Sequence, residues 1–206
     1  MEKARKSIKW IVAAAAFYVV AIALLVLGFY YDAYVSEFIA SNRQPYLNEF
    51  MRIISFLGDW YIILIIISII FIFHKLKRRL VFASWLSILA SGLIVYAIKF
   101  FFVRERPFGA LGIENLIEAE GSSFPSGHAA AAFSAVPLIG RIKKLRHMWL
   151  AFSILVAFSR IYLGVHYLSD VAAGALIGYT LGAIFLAIEH KAKFGKRILE
   201  LIKRYY

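Results

Sequence analysis

Six side chains of this sequence have the types and spacing that suit chemistry on phosphate. They are Lys99, Arg106, His128, Arg160, His166 and Asp170. They fall in three short stretches: Lys99 with Arg106-Pro107, then Pro125-Ser126-Gly127-His128, then Ser159-Arg160 with His166 and Asp170. A phosphate ester is an anion whose transfer depends mostly on positioning and electrostatic stabilisation. Arginine forks and a lysine are the equipment that reaction needs. A single cation of this kind can simply be a long side chain reaching out from a helix end. For Lys99 alone that is the simpler reading, but three cations flanking histidine motifs are more than helix ends require.

The second stretch opens an apolar run. Pro125 favours a helix start, Gly127 lets backbone N–H groups approach an anion, and the Ser126 hydroxyl adds a donor. Taken alone, the same four residues suit an ordinary helix cap equally well. In the third stretch His166 and Asp170 are four apart, so a helical turn between them brings them together. A carboxylate on one imidazole nitrogen fixes the tautomer and leaves the other nitrogen free to attack. His128 can then give a proton to the leaving oxygen and later activate water. The chain has no cysteine, which excludes thiolate catalysis, disulfides and cysteine-ligated metals. No serine sits in a nucleophile elbow. Zinc is the rival use of two histidines and an aspartate, but three nearby cations would repel a divalent ion.

The elements that must hold these residues are set by composition. Of 206 residues 62% are hydrophobic and 17% charged, against about 45–50% and about 25% in an ordinary soluble domain. That excess cannot be covered in one soluble core, and it indicates an all-α integral membrane protein of a single domain spanning residues 1–206. Six apolar runs stand out: Ile8–Tyr31, Ile53–Phe73, Leu80–Phe102, Phe124–Gly140, Met148–Val165 and Val171–Ile188. The expectation is a six-transmembrane-helix bundle in which the fourth and fifth spans stop short and leave a recess. The first run is too long for a signal peptide and reads as an anchor.

Eighteen of the 24 Lys and Arg residues fall before or at the very start of the first run, between the second and third, between the fourth and fifth, or after the sixth. Those four places share one side of a six-span layout. The positive-inside rule makes that side cytoplasmic, with both termini, and turns the motifs outward from the cell membrane. The net charge of +12 is therefore a topology signal with some attraction to anionic headgroups, and nucleic acid is not a partner. Short interfacial helices are expected in the outward loops, around Tyr34–Ile39 and Ile113–Glu118. Gly174, Gly178 and Gly182 form a small-residue packing face, suited to an internal contact more than to a dimer seam. The sequence does not fix an oligomeric state.

Lys99-x6-Arg106-Pro107, Pro125-Ser126-Gly127-His128 and Ser159-Arg160-x5-His166-x3-Asp170 resemble the three signatures of the type-2 phosphatidic-acid phosphatase superfamily, which also includes acid phosphatases and vanadium haloperoxidases. The six-span layout resembles its membrane branch. The resemblance implies a metal-independent hydrolase without a cofactor, acting through a phosphohistidine. His166 would be the nucleophile, Asp170 its orienting partner and His128 the general acid and base. Lys99, Arg106, Ser126, Gly127 and Arg160 would hold the phosphate. The implied substrates are membrane lipid phosphates or diphosphates of the phosphatidic acid, phosphatidylglycerol phosphate, undecaprenyl diphosphate or lipid A type. The alternative is a non-catalytic lipid-binding or transport protein on the same fold, although the chain keeps His128, His166 and Asp170.

Overall fold

The computed structural model describes the backbone of residues 2–74 and 79–205, and the side chains of 11–74 and 79–201. Among these described residues ten helices follow one another: α1 (Glu2–Ser41), α2 (Pro45–Leu57), α3 (Trp60–Phe73), α4 (Leu80–Phe101), α5 (Pro107–Leu111), α6 (Gly127–Ser134), α7 (Val136–Ile139), α8 (Arg146–Tyr162), α9 (Leu168–Ala192) and α10 (Phe194–Tyr205). No strand occurs among the described residues. Among the described residues three helices are long and apolar enough to cross a membrane: α1 from Ile11, α4 and α9. The bent pair α2–α3 makes a fourth if it counts as one span. The protein is a multi-pass helical membrane protein. Part of the expected cytoplasmic basic cluster, residues 75–78, lies outside the described residues.

Several boundaries differ from the sequence expectation. The second apolar run is not one straight helix. It turns by 69° at Gly58-Asp59, between α2 and α3. No separate interfacial helix forms at Tyr34–Ile39, because α1 continues unbroken to Ser41. The near-helical spacing there belongs to α1 itself, whose Asp32 and Ser36 are buried. The fourth run breaks at Ala135, where Pro137 lacks an N–H and its ring clashes with the preceding turn. Together α6 and α7 reach only about 20 Å by helical rise.

The helix expected at Ile113–Glu118 is also absent, and a five-residue turn at Pro107–Leu111 takes its place. The carbonyls that a helix would need are held by distant arginines. Arg43 Nη1 donates to Glu114 O at 2.6 Å, and Arg52 Nε donates to Leu116 O at 3.0 Å. Trp149 is buried, with its indole N–H donating to Ala132 O at 3.1 Å.

Helix α9 runs through the centre, packed against α1, α4 and α6. Its contact with α6 is the most extensive among the described helices. Gly174, Gly178 and Gly182 face Ser126 O, Ala130 O and Ser134 O of α6, one helical turn apart on each side. A β-carbon at any of the three would collide with the facing carbonyl. The small-residue face is therefore an internal contact, and it brings α6 and α9 to backbone distance. Gly92 of α4 differs, because a β-carbon there meets nothing within 4 Å.

This contrast makes a stability prediction. Gly178→Ala should cost about 1–3 kcal/mol by overpacking, and so lower the thermal midpoint of the detergent-solubilised protein by roughly 5 °C. Gly92→Ala should leave the midpoint unchanged or raise it, because alanine is the better helix former. Equal behaviour of the two variants would contradict the packing described.

Candidate active site

The three motif stretches meet at one end of the bundle. Lys99 lies in the last turn of α4 and Arg106 caps α5. Ser126-Gly127-His128 opens α6, Arg160 lies in the last turn of α8, and Asp170 lies in the first turn of α9. The Ser126 N–H donates to the Asp170 backbone carbonyl at 3.0 Å, which joins the second motif to the third. The His166 and Val165 N–H groups both turn back onto the Arg160 carbonyl. The Phe124–Pro125 bond is cis.

Asp170 has no solvent exposure. Its Oδ2 accepts from the Tyr167 N–H at 2.8 Å, completing a capping box, and lies 3.4 Å from His166 Nδ1. That contact is long for a hydrogen bond, but it sets the ring so that Nδ1 faces the carboxylate. Nε2 is the nitrogen left for chemistry. Burial pushes the His166 pKa down to about 3, against the opposing pull of Asp170, with Arg160 and Arg106 adding to the fall. The imidazole is therefore a neutral base at ordinary pH, the form a nucleophile needs.

The cations differ in how many donors they have free. Lys99, Arg106 and Arg160 lie within electrostatic reach of one another, and Lys99 and Arg106 also of Asp170. Arg106 gives Nε to Gly121 O, Nη1 to Val165 O, and Nη2 to Glu120 O and Ser122 O. Those bonds occupy most of its five donors, so the residue expected to grip phosphate also pins the loop to the turn before α9. Lys99 donates to Ser122 O on the same loop. Arg160 is the least committed: Nη1 meets Ser55 Oγ, while its buried Nε has no partner among the described residues. A buried guanidinium with free donors is a receptor for an anion. Ser126 caps α6 by accepting from Ala129 N at 3.4 Å, and the first N–H groups of α6 have no intrahelical partner.

Four residues at this site escaped the sequence reading. Arg104 donates from Nη1 to Asp170 Oδ1 and Ser169 Oγ, and from Nη2 to Asp32 Oδ2, each at 2.7 Å. Its guanidinium sits 4.1 Å from the centroid of the Tyr167 ring. Asp32 also accepts from the Ser169 N–H at 3.0 Å and from the Ser169 hydroxyl. Asp59, in the bend between α2 and α3, lies with Oδ1 3.0 Å from His128 Nε2. An acid inside or beside an apolar run is costly without a partner. That was the available signal for Asp32 and Asp59.

Beside His128 a cavity of about 530 Å³ opens between α3, α4 and α6. Trp60, Leu89, Leu93 and Tyr96 line its apolar length, and Lys99 and His128 line its polar end. A group with one charged end and a long apolar body fits this shape.

Comparison with known proteins agrees with this geometry. The PAP2 superfamily model matches residues 80–194. Phosphatidylglycerophosphatase B of Bacillus subtilis is 31% identical over 182 residues, covering 79% of this chain and 85% of that protein. The undecaprenyl-diphosphatase of Sulfolobus acidocaldarius is 28% identical over 168 residues, covering 79% and 80%. Among solved structures, the transmembrane PAP2-type phosphatidylglycerolphosphate phosphatase of Bacillus subtilis superposes with a TM-score of 0.71 at 26% identity, over 86% of this chain and 96% of that one. Aquifex aeolicus LpxE superposes with a TM-score of 0.69 at 30% identity, over 76% and 94%. The apolar helices, the phosphate-suited cluster at one end and these relatives lead to one conclusion: the chain belongs to the PAP2 superfamily and is an integral membrane lipid phosphatase.

Proposed function

We propose that the chain removes a terminal phosphate from a lipid phosphate or diphosphate through a phosphohistidine at His166, without metal or cofactor, as one membrane-embedded unit of residues 1–206. The observation that carries this reading is the gathering of Lys99, Arg106 and Arg160 around a neutral His166 oriented by Asp170. His166 Nε2 attacks phosphorus and the bond to the leaving lipid oxygen breaks. His128 gives that oxygen a proton. His128 then takes a proton from water, whose oxygen attacks the phosphohistidine and releases inorganic phosphate. Lys99, Arg106, Arg160, Ser126 and the N–H groups at Gly127 hold the phosphoryl oxygens. The donor set supports a metal-free route, because the groups that converge on the phosphate position are cations.

The cavity beside His128 takes the lipid tail and opens sideways between α3 and α4. Its apolar wall suits many chains. The names of the relatives, phosphatidylglycerophosphatase and undecaprenyl-diphosphatase, support a phospholipid phosphate or a polyprenyl diphosphate as substrate. We read α2–α3 and the short α6–α7 and α8 as the remaining three of six spans. That layout leaves the ends of α4 and α8 and the starts of α6 and α9 on one side, opposite Arg79, Arg141, Lys143, Lys144 and Lys191. By the positive-inside rule the site then faces away from the cytoplasm, across the cell membrane.

Two experiments test these statements. In the purified protein, His166→Ala should abolish phosphate release, and rapid quenching of wild type with ³²P-labelled lipid phosphate should leave acid-labile label on the protein that His166→Ala lacks. Asp170→Asn should slow turnover severely, by up to about 10⁴-fold on the precedent of a triad aspartate. Excess EDTA should leave wild-type activity unchanged. Label retained in His166→Ala would remove this histidine as nucleophile, and dependence on added Mg²⁺ or Zn²⁺ would remove the metal-free route.

The second experiment concerns sidedness. The chain has no cysteine, and Ala110 and Lys143 are both exposed. Ala110→Cys should react with a membrane-impermeant maleimide in intact cells, and Lys143→Cys only after permeabilisation. The reverse pattern would turn the site to the cytoplasm.

A further inference from the structure

The junction of α2 and α3 breaks a local rule. Asp59 stands at the N-cap of α3, where aspartate is among the best capping residues, yet its side chain makes no capping bond. Its Oδ1 instead lies 3.0 Å from His128 Nε2. Tyr61 donates to its other oxygen at 3.4 Å. The bend that places it there is built for closeness: a β-carbon on Gly58 would come within 2.5 Å of Val156 Cγ1 on α8. One turn earlier Ser55 meets Arg160. The end of α2 thus touches two residues of the reaction centre, and it lies outside the 80–194 segment that the family model matches.

The charges around His128 show what such a contact does. Arg160 of α8 and Arg106 before α5 act on the imidazole electrostatically, and Lys99 of α4 lines the same cavity. Burial and the two arginines oppose a charge on the ring. A general acid must nevertheless carry a proton when the lipid oxygen leaves. Asp59 is the carboxylate that offsets them from the α2–α3 side. By engaging Nε2 it also fixes the ring and leaves Nδ1 as the nitrogen free to serve a leaving group.

We propose that Asp59 is a positioning residue that keeps His128 protonated and oriented as the general acid, giving the site a second carboxylate–imidazole pair beside Asp170–His166. In the step it supports, the His166 Nε2–phosphorus bond forms, the phosphorus–lipid oxygen bond breaks, and the proton on His128 Nδ1 moves to that oxygen. Water later returns a proton to Nδ1 as its oxygen displaces His166. The inference rests on the reading of His128 as general acid given under the proposed function.

Leaving groups of different basicity test it. A lipid alcohol phosphate expels an alkoxide that needs a proton, whereas p-nitrophenyl phosphate expels a stable anion that does not. With purified full-length protein in detergent, Asp59→Asn should lower kcat on the lipid monophosphate at least about tenfold, within the range for general acid catalysis. It should change kcat on p-nitrophenyl phosphate less than about threefold, with KM nearly unchanged on both. The alkaline limb of kcat/KM on the lipid substrate should move down by about one pH unit, as loss of a charge at this distance requires. Asp59→Glu should recover part of the activity, and Asp59→Ser carries the same comparison if Asp59→Asn does not fold. Equal losses on both substrates with an unmoved alkaline limb would make Asp59 a structural residue and overturn the proposal. His128→Ala separates the two ideas. If it too is indifferent to the leaving group, the general-acid reading fails. If it discriminates and Asp59→Asn does not, only the inference about Asp59 fails.

Discussion

A carboxylate closed off from solvent has to be met by donors and cations, or it is too costly to keep ionised. Asp170 is fully buried, and each contact that satisfies it draws in a different part of the chain. The Tyr167 N–H starts α9 around it, and Arg104 comes from the segment after α4. Through Arg104 and Ser169, Asp32 fixes where α1 lies against α9. On the backbone side, the Asp170 carbonyl takes the Ser126 N–H and so locates the start of α6. The carboxylate proposed to orient His166 is thus also the point where four elements are joined. The proposed activity and the assembly are bound together at this position.

The glycine face of α9 makes that junction possible. Three facing carbonyls of α6 lie where side chains would otherwise stand. The two helices approach as backbones, and His128 and His166 are carried on elements whose separation is fixed by main-chain contact. Side-chain packing tolerates small repacking, whereas a backbone contact of this kind does not. Arginines fix the opposite wall. Arg43, Arg52 and Arg106 hold carbonyls between Glu114 and Ser122, so a loop with little regular structure is still tied at many points.

The residues that meet at the end of the bundle were legible in the sequence because histidines, an aspartate and three cations stand out against apolar runs. The long helices were legible for the same reason, since α4 and α9 match their runs within a few residues. What could not be read depended on partners far along the chain. Residues 113–118 have helical spacing, yet their carbonyls are taken by arginines about sixty to seventy positions earlier. Asp32 is buried because Arg104 reaches it from 72 residues further along the chain. Asp59 stands at the N-cap of α3, and the bend at Gly58 turns it toward His128 instead of the helix. Each miss is a residue whose local preference gave way to a tertiary contact.

The short α6–α7 unit has a consequence for the traffic of lipids. In the six-span reading, a helix pair reaching about 20 Å stops short of the full hydrocarbon layer of about 30 Å, and the groups proposed to react gather at one end of the bundle. A site so held would meet the lipids of a single leaflet. A lipid made on the other side must first be flipped across, and its dephosphorylated product leaves into the same sheet of lipid from which the substrate came. Under steady synthesis, transbilayer movement rather than bond cleavage can therefore set the flux, and the asymmetry of the membrane becomes part of the kinetics.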